Sequence, residues 1–148
     1  IAVSSTDEKV GKLKDLGADA VINYHDADFE MATQDLTDGR GVDVVFQTLA
    51  GDTWQKSLAC AAKGGRVVVC SGILGTSPKE DLETIWWKQL QIIGSTGATA
   101  ADFDKVMGLL DAGKITPVID SIIPLSDAKT AQDKMINHEH FGKIVLVP

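Results

Sequence analysis

Two apolar runs separated by a helix-like segment dominate the hydrophobic pattern of the chain. The runs cover residues 42–46 and 67–70, and apolar side chains fall on both faces of each, which is typical of parallel strands. Between them, Asp52 is the expected cap of a helix that Gly64-Gly65 ends. The apolar stripe of this helix is expected to comprise Trp54, Leu58, Ala61 and Ala62. Parallel strands joined by a helix need a right-handed crossover, so residues 40–72 predict a βαβ unit.

Strand and helix patterns alternate along the rest of the chain. Further strands are predicted over residues 1–4, 19–24, 91–96, 118–123 and 141–147, and an acidic amphipathic helix carries Phe29, Ala32 and Leu36. The N-caps predicted for four other helices are Ser5, Ser77, Thr99 and Ser126. Ser5–Glu8 is a capping box, Ser77 is followed by a proline at the first helical position and a glutamate three residues on, and Thr99-x-x-Asp102 is expected to open a helix. The alternation through residue 96 predicts an α/β fold with a doubly wound parallel sheet. The tail beyond it need not continue that sheet.

The composition narrows the classes of function. A chain of 148 residues with 44% hydrophobic and 24% charged residues is typical of one soluble globular domain. The formal net charge of −7, from 14 basic and 21 acidic residues, argues against wholesale binding of nucleic acid or an anionic membrane. No apolar run approaches the roughly 20 residues of a membrane-spanning helix. We therefore expect neither nucleic acid nor a membrane as a partner.

The cysteines and histidines do not follow a metal-ligand or nucleophile pattern. Cys60 and Cys70 are interpreted as reduced structural thiols, which favours a cytoplasmic protein. We interpret the three histidines (His25, His138 and His140) as surface or loop residues, with proton relay as the alternative. We assign no catalytic residue and no metal ligand.

Several segments, taken in order, carry a family resemblance. They read AVSSTDEK, LGADAVINY, DGRGVDVVFQTLAGDTWQKSLACAAKGGRVVVCSG, WWKQLQIIGST, AGKITPVIDSIIPLSDAKTAQ and HFGKIVLVP. The set resembles the zinc-type alcohol dehydrogenases and quinone reductases of the medium-chain dehydrogenase/reductase superfamily. The resemblance implies hydride transfer between a nicotinamide cofactor and a small alcohol, carbonyl, or quinone or enone.

The resemblance also implies parts that are not in this sequence. In that family, a strand with a glycine-rich phosphate turn stands before a strand like residues 1–3, and an amino-terminal domain supplies any zinc ligands. We therefore interpret the chain, which begins at Ile1 without a methionine, as the carboxyl-terminal portion of such an enzyme. Residues 1–97 are expected to form the remainder of an incomplete Rossmann domain, and residues 98–148 to pack with the catalytic domain. We expect this portion alone to be inactive.

The resemblance assigns the cofactor ribose to the end of the second Rossmann strand, where NAD enzymes carry an acidic residue. Here Ser4 and Ser5 occupy that position without a charge, and Lys9 and Tyr24 stand nearby. NADP(H) is therefore favoured over NAD(H), although the neighbouring acidic side chains at residues 7 and 8 weigh against this. The alternatives are that Ser5 is only a helix cap and Lys9 a solvated surface residue.

The same resemblance assigns the remaining cofactor contacts to the strand ends. The residues expected at the ribose and nicotinamide are Thr48, Leu49, Cys70, Ser71 and Gly72, and those expected at the carboxamide are Ser95 and Thr96. Lys143 is expected to reach the cofactor from the last strand. Ordinary turn chemistry, and an exposed edge lysine for Lys143, are the alternatives.

The adjacent residues Trp86 and Trp87 suggest a contact surface. Neighbours on a helix point about 100° apart, so one core does not readily take both rings. We expect a subunit or interdomain interface, as in the dimers of the resembled family, with burial inside the monomer as the alternative. A second hypothesis for the whole chain is a non-catalytic binding module, because loss of the first strand exposes a central strand that should pair, swap or recruit a partner.

Overall fold

The computed structural model describes residues 1–76, 79 and 81–148. These divide into two compact units, Ile1–Gly97 and Ala98–Pro148. The assignment of the units to a cofactor domain and a catalytic-domain segment stays a prediction. The helix start expected at Ser77 lies outside the described residues.

The first unit is an α/β structure in which all strand pairs are parallel, and this confirms the predicted fold class. Its strands are β1 (Ala2–Ser4), β2 (Val21–Asn23), β3 (Val42–Gln47), β4 (Ala61–Val69) and β5 (Gln91–Gly94). Its helices are α1 (Asp7–Asp15), α2 (Phe29–Leu36), α3 (Trp54–Cys60) and α4 (Leu82–Trp87). β1 pairs with β2, while β3, β4 and β5 form a second sheet with β4 at its centre.

The core of this unit lies where α3 packs on β4. Trp54, Leu58, Ala61 and Val67 form its buried cluster, and Leu58 and Val67 have no exposed surface. Partly buried side chains of β3, β4, α4 and the turn before β5 surround the cluster; they are Val45, Val69, Ile85 and Leu90. The predicted βαβ unit is therefore the structural centre of the first unit.

The helix of that unit ends earlier than the sequence predicts. α3 stops at Cys60, and Ala61 already belongs to β4, where it pairs with Val42. The Ala59 carbonyl accepts hydrogen bonds from the Gln34 side chain at 2.9 Å and the Lys88 ammonium at 2.6 Å. These distant side chains provide hydrogen-bond donors for a carbonyl at the end of the helix. The helix therefore ends without the glycines at 64 and 65 as its C-terminal cap.

Three predicted caps are wrong. α1 is capped by Thr6, whose hydroxyl accepts from the Lys9 backbone N–H at 3.3 Å, because β1 extends through Ser4 and Ser5 then precedes the helix. Asp52 and Ser126 lie inside short 3₁₀ turns, Gly51–Thr53 and Leu125–Asp127, and the helices that follow them have no side-chain cap bond. In contrast, the helix start predicted at Thr99 is confirmed, and Thr99 forms a capping box with Asp102.

The second unit contains α5 (Ala100–Asp111), β6 (Ile119–Pro124), α6 (Ala128–Ile136) and β7 (Lys143–Val147). β6 and β7 pair in parallel as a two-stranded sheet within this unit. Among the described residues, no helix combines the length and apolar character needed to cross a bilayer.

A mostly buried carboxylate joins the elements of the second unit. Asp120 on β6 accepts hydrogen bonds from the Lys134 ammonium at 2.5 Å, the Phe141 backbone N–H at 2.9 Å and the Ser121 hydroxyl at 2.9 Å. These bonds, that of Lys134 first, hold the pKa of the Asp120 carboxyl far below its ordinary value. The charged form of Asp120 therefore connects β6 to α6 and to the turn before β7.

We expect the Asp120→Asn variant to lower the urea midpoint of the second unit at pH 7, because a neutral amide replaces the charged acceptor. A carboxyl whose pKa is depressed by folding stabilises the fold above its unfolded pKa of about 3.9, and that contribution disappears as the pH falls through the folded value. The difference between wild type and variant should therefore shrink below about pH 4. This difference is measured by urea titrations at several pH values, in which the NMR signals of residues 119–147 report unfolding.

The matched control is Asp133→Asn, which removes an exposed ion pair with Lys129 on the outside of α6. Exposed pairs contribute little to stability, so this variant should unfold close to wild type. Equal losses in the two variants, or a pH-independent difference for Asp120→Asn, would contradict the role given to Asp120.

Candidate functional site

The carboxyl ends of the three strands of the larger sheet lie side by side. The Cys70 N–H donates to the Gln47 carbonyl at 3.2 Å, and the Ser95 N–H donates to the Val69 carbonyl at 2.9 Å. The predicted site residues that follow these strands are Thr48, Leu49, Cys70, Ser71, Gly72, Ser95 and Thr96. In open parallel sheets, ligands bind at this edge. The structure thus brings these seven residues to one edge of one sheet.

The loop after β3 is fixed by a buried glutamine that the sequence interpretation missed. The Gln47 side-chain oxygen accepts from the N–H groups of Leu49 at 2.8 Å and Ala50 at 3.2 Å. Its amide nitrogen donates to the hydroxyls of Ser57 at 2.5 Å and Thr53 at 3.2 Å. A polar residue at the end of an apolar run was the available signal. Gln47 therefore ties the loop at the sheet edge to α3.

Backbone geometry in the same loop is tight. Ala50 has φ 52° and ψ −135°, a region that residues with a side chain rarely occupy. Gly51 follows with φ 50°, and a Cβ there would lie 2.5 Å from the Leu74 carbonyl oxygen. The Leu74 N–H in turn donates to the Leu49 carbonyl at 2.8 Å. The loops after β3 and β4 thus pack backbone against backbone.

The other predicted site residues cluster at the ends of β1 and β2. The Tyr24 N–H donates to the Ser4 carbonyl at 3.0 Å, so the tyrosine that follows β2 stands beside the end of β1. Ser5 connects β1 to the Thr6 cap, and Lys9 lies in the first two turns of α1. Ser4, Ser5, Lys9 and Tyr24 are therefore neighbours along one short stretch of surface.

The two acidic residues near this cluster each bond to another side chain. The Asp7 carboxylate accepts from the Asn23 side chain at 2.9 Å. Glu8 pairs with Lys12 at 2.6 Å, and this hydrogen bond lowers the pKa of the Glu8 carboxyl. Asn23 is the register partner of Ser4, so the Asp7 carboxylate stays beside the end of β1, whereas Glu8 is held by Lys12 within α1.

A cavity of about 950 Å³ lies between the two sheets of the first unit. Its walls come from residues 1–3 of the β1 edge, residues 42–49 of β3 and its loop, and side chains of α2 and α3. Of the predicted site residues, Tyr24, Thr48 and Leu49 line it. The Asp28–Lys56 ion pair at 2.5 Å also lines it, and the hydrogen bond from Lys56 lowers the pKa of the Asp28 carboxyl.

Lys143 lies in the second unit, where it begins β7 and donates its N–H to the Val118 carbonyl at 2.8 Å. Its predicted role at the cofactor stays a prediction. Within residues 1–76, 79 and 81–148, no group of three or more histidine, cysteine, aspartate or glutamate side chains is arranged to hold a metal ion. The residues described here therefore do not fit a zinc site, and no step of the chemistry is assigned to zinc on this chain.

The thiols and the tryptophan pair complete the candidate features. Cys60 and Cys70 are both free, and burial raises the pKa of the Cys60 thiol.

The rings of Trp86 and Trp87 meet edge to face at 5.4 Å and are 62% and 70% exposed. Burial of both rings inside the unit, the alternative considered from the sequence, is therefore wrong.

Comparison with known proteins identifies the family. The model of the zinc-binding dehydrogenase family matches residues 16–146. An NAD-dependent alcohol dehydrogenase of Sulfurisphaera tokodaii is 32% identical over the whole chain, which covers 43% of that protein. A quinone oxidoreductase of Rattus norvegicus is 30% identical to this chain. The match covers 88% of this chain and 41% of the rat protein.

A solved structure agrees with these relatives. A cobalt- and zinc-bound thermostable alcohol dehydrogenase from Pyrobaculum aerophilum superimposes with a TM-score of 0.81 at 30% identity, over 99% of this chain and 42% of that one. The chain thus spans less than half the length of the relatives that it matches and corresponds to their carboxyl-terminal part. The chain belongs to the zinc-binding dehydrogenases of the medium-chain dehydrogenase/reductase superfamily.

Proposed function

We propose that the protein containing this chain is an NADP(H)-dependent oxidoreductase acting on a small alcohol, carbonyl, or quinone or enone. The observation that carries the proposal is the sheet edge where the ends of β3, β4 and β5 converge and where Gln47 fixes the first loop. The substrate class is supported by the relatives, which are named as alcohol dehydrogenases and quinone oxidoreductases.

In this proposal the chain orients the cofactor. Thr48, Leu49 and residues 70–72 contact the ribose and the nicotinamide, while backbone groups of Ser95 and Thr96 hold the carboxamide. The bound cofactor itself supplies the hydride chemistry. The contribution of these residues is to hold the ring in one position and to restrict water at the sheet edge. We assign no catalytic residue among residues 1–148.

The preference for NADP(H) rests on charge at the end of β1. An acidic residue at this position would accept from a ribose 2′-hydroxyl and repel a 2′-phosphate, and Ser4 and Ser5 carry no charge. Glu8 is paired with Lys12, but Asp7 is bonded to Asn23 opposite Ser4 and weighs against the preference. Lys9 adds a cation one helical turn away. The name of the S. tokodaii relative makes NAD(H) the competing cofactor.

We expect the longest polypeptide encoded by the gene to use NADPH with a kcat/KM at least about tenfold above that for NADH, which corresponds to roughly 1.4 kcal/mol. The Ser4→Asp variant should reverse this preference, because its carboxylate repels the 2′-phosphate and accepts from a 2′-hydroxyl. Steady-state oxidation of the two reduced cofactors, with a quinone and an aldehyde as acceptors, measures the ratio.

Ser4→Asn is the matched control, since it adds nearly the same volume without a charge and should keep the NADPH preference. A wild-type preference for NADH, or equal effects of the two substitutions, contradicts the assignment of cofactor. Residues 1–148 alone, which contain no glycine-rich turn at a strand–helix junction, should bind NADPH only weakly. Micromolar affinity of this chain in a calorimetric titration would show that turn to be dispensable.

The Gln47 anchor generates a second prediction. Gln47→Met keeps the side-chain size but removes four hydrogen bonds, so we expect a loss of about 2–3 kcal/mol in the free energy of unfolding. Ala50→Gly should instead stabilise the chain by about 1 kcal/mol, because glycine tolerates the positive φ. Urea unfolding measures both changes, and hydrogen exchange at Leu49 and Ala50 reports the loop itself.

The control for the anchor is Gln91→Met, which alters an exposed glutamine on β5. This variant should unfold within about 0.5 kcal/mol of wild type. If Gln47→Met behaves like Gln91→Met, or if exchange at Leu49 is unchanged, the loop is not held by Gln47.

We infer that the assembled protein is a homodimer or higher oligomer that uses the outer edge of the larger sheet. β5 bonds only to β4 within the described residues, and Trp86 and Trp87, which end the helix that precedes β5 in the chain, have exposed rings. Large exposed aromatic side chains, and a strand with one unpaired edge, are both typical of an interface. The expected contact therefore comprises β5 and the end of α4.

We expect the double variant Trp86→Glu/Trp87→Glu to weaken this self-association, since it places two charges in an apolar contact. Sedimentation velocity at micromolar protein concentration measures the change. Phe103→Glu is the matched control, because Phe103 is a 62% exposed aromatic on α5. A wild-type monomer at every concentration, or equal dissociation in both variants, contradicts this interface.

A second candidate function is a non-catalytic module that binds a partner through its sheet edges. It is favoured by the free edges of β1 and β3, which line one cavity. NADPH oxidation by the longest gene product separates the two candidates. Turnover supports the oxidoreductase, whereas a protein that folds and binds partners without turnover supports the module.

A further inference from the structure

A second cavity in the first unit, of about 430 Å³, lies beside α4. The residues that line it run from the N-cap of this helix to its C-cap; they are Asp81, Glu83, Thr84, Trp86, Trp87 and Lys88. Cavities of a few hundred Å³ with aromatic walls and a few polar groups are typical of sites for small molecules. The side chains around this one indicate which class of molecule it takes.

The indole rings of Trp86 and Trp87 form a corner with two aromatic walls. Their planes are inclined at 83° and their centroids lie 5.4 Å apart. Both side chains are largely exposed, so a ligand has access to the rings. A flat group stacks on one ring at a time, whereas a rounded group contacts two perpendicular walls together. The corner therefore suits a compact, rounded group.

Carboxylates line the same cavity. Glu83 precedes Trp86 by three residues and Trp87 by four, and residues at these spacings are neighbours on a helix surface. Asp81 is the N-cap of α4, and its carboxylate accepts from the Thr84 N–H at 3.0 Å. Hydrogen bonds from Thr84 lower the pKa of the Asp81 carboxyl, so Asp81 is ionised at neutral pH.

The cation among the lining residues is turned away from the cavity. The Lys88 ammonium donates to the carbonyls of Ala59 at 2.6 Å and Ala61 at 2.9 Å, which holds it at the end of α3. Lys79 also acts on the Asp81 carboxyl, but it is not one of the lining residues. The cavity therefore presents carboxylates and aromatic faces, both of which attract a positive charge.

The walls also select the class of cation. A calcium or magnesium ion needs about six oxygen ligands, and in the part of the chain that the structure describes no group of three or more acidic, histidine or cysteine side chains is arranged to hold a metal ion. A guanidinium group is planar and stacks on a single ring. A quaternary ammonium group is rounded, and aromatic side chains are its usual partners in proteins.

We propose that the cavity beside α4 binds a small organic cation of the quaternary-ammonium class. The head group lies in the corner between Trp86 and Trp87, and Glu83 and Asp81 supply the negative charge. The proposal goes beyond the oxidoreductase function, since it uses neither the cofactor edge nor the cavity between the sheets. It shares the tryptophan pair with the oligomer contact inferred above, so the ligand and a second copy compete for the same rings.

The test is a titration of isotope-labelled residues 1–148 with choline chloride at constant ionic strength, followed by the indole N–H signals in NMR spectra. We expect the signals of Trp86 and Trp87 to shift along one saturable curve with a millimolar dissociation constant, because exposed cation–π contacts are individually weak. Trp54 is buried in the core of the first unit, so its signal should stay in place and serves as the internal reference.

The matched control ligand is the uncharged analogue of choline in which a tert-butyl group replaces the trimethylammonium group. It has nearly the same shape and apolar surface but no charge. We expect it to bind at least about fivefold more weakly than choline, because it loses the attraction to the ring faces and to the carboxylates.

Two variants locate the site. Glu83→Gln removes the charge beside the rings and should weaken choline binding about threefold. Its matched control is Glu30→Gln, because Glu30 is the second residue of α2 just as Glu83 is the second residue of α4. Trp87→Leu keeps an apolar side chain but removes one aromatic wall, and should weaken binding at least about fivefold. Its control is Phe103→Leu, which removes an exposed ring on α5.

Both control variants should bind choline as wild type does, and circular dichroism checks that all four variants fold. The proposal is overturned by the absence of a saturable shift, by equal binding of the uncharged analogue, or by an unchanged affinity of Glu83→Gln or Trp87→Leu. Losses of the same size in the control variants also overturn it.

Self-association supplies the last outcome. Sedimentation velocity with and without choline shows whether two copies cover the tryptophan pair. A dimer that the Trp86→Glu/Trp87→Glu variant dissociates and that excludes choline overturns the proposal, since a second copy then fills the cavity. The titration contains no nicotinamide cofactor and measures no turnover, so its failure is separate from a failure of the proposed oxidoreductase.

Discussion

The contact between α3 and β4 is the interaction on which the first unit depends. Leu58 and Val67 are the two large side chains that this contact buries completely. The strands on either side of β4, which are β3 and β5, are both in register with β4. Because β3 and β5 both pair with β4, their carboxyl ends are brought to one edge together. The candidate cofactor site is thus a consequence of how one helix packs on one strand.

The features predicted from sequence are those that local pattern determines. The βαβ unit follows from two apolar runs and a helical stripe, and the helix start at Thr99 follows from Thr99 and Asp102, which are three residues apart. The end of α3 was not predictable in this way. Its last carbonyls are satisfied by Gln34 and Lys88, which are 25 and 29 residues away from Ala59. Contacts over such separations leave no signal in a local window.

The candidate site likewise has parts that local sequence predicts and parts that depend on distant contacts. The ends of β3 and β4 follow from the hydrophobic pattern, and the resemblance assigned cofactor contacts to the residues there. Gln47 was missed because its role depends on where α3 places Ser57 and where the 3₁₀ turn before it places Thr53. The cap at Thr6 was missed by one residue, since β1 runs as far as Ser4 before the chain turns. The roles of Gln47 and Thr6 are set by how the chain packs, and the hydrophobic pattern of the sequence does not show them.

The loop held by Gln47 also changes how folding and ligand affinity are related. Fixing the backbone of one residue costs about 1–2 kcal/mol of conformational entropy, and residues 48–51 are already fixed before a ligand arrives. That cost is part of the folding free energy, and a ligand at this edge does not meet it again. A substitution that loosens this loop should therefore lower the entropic cost of folding and raise that of ligand binding by a similar amount.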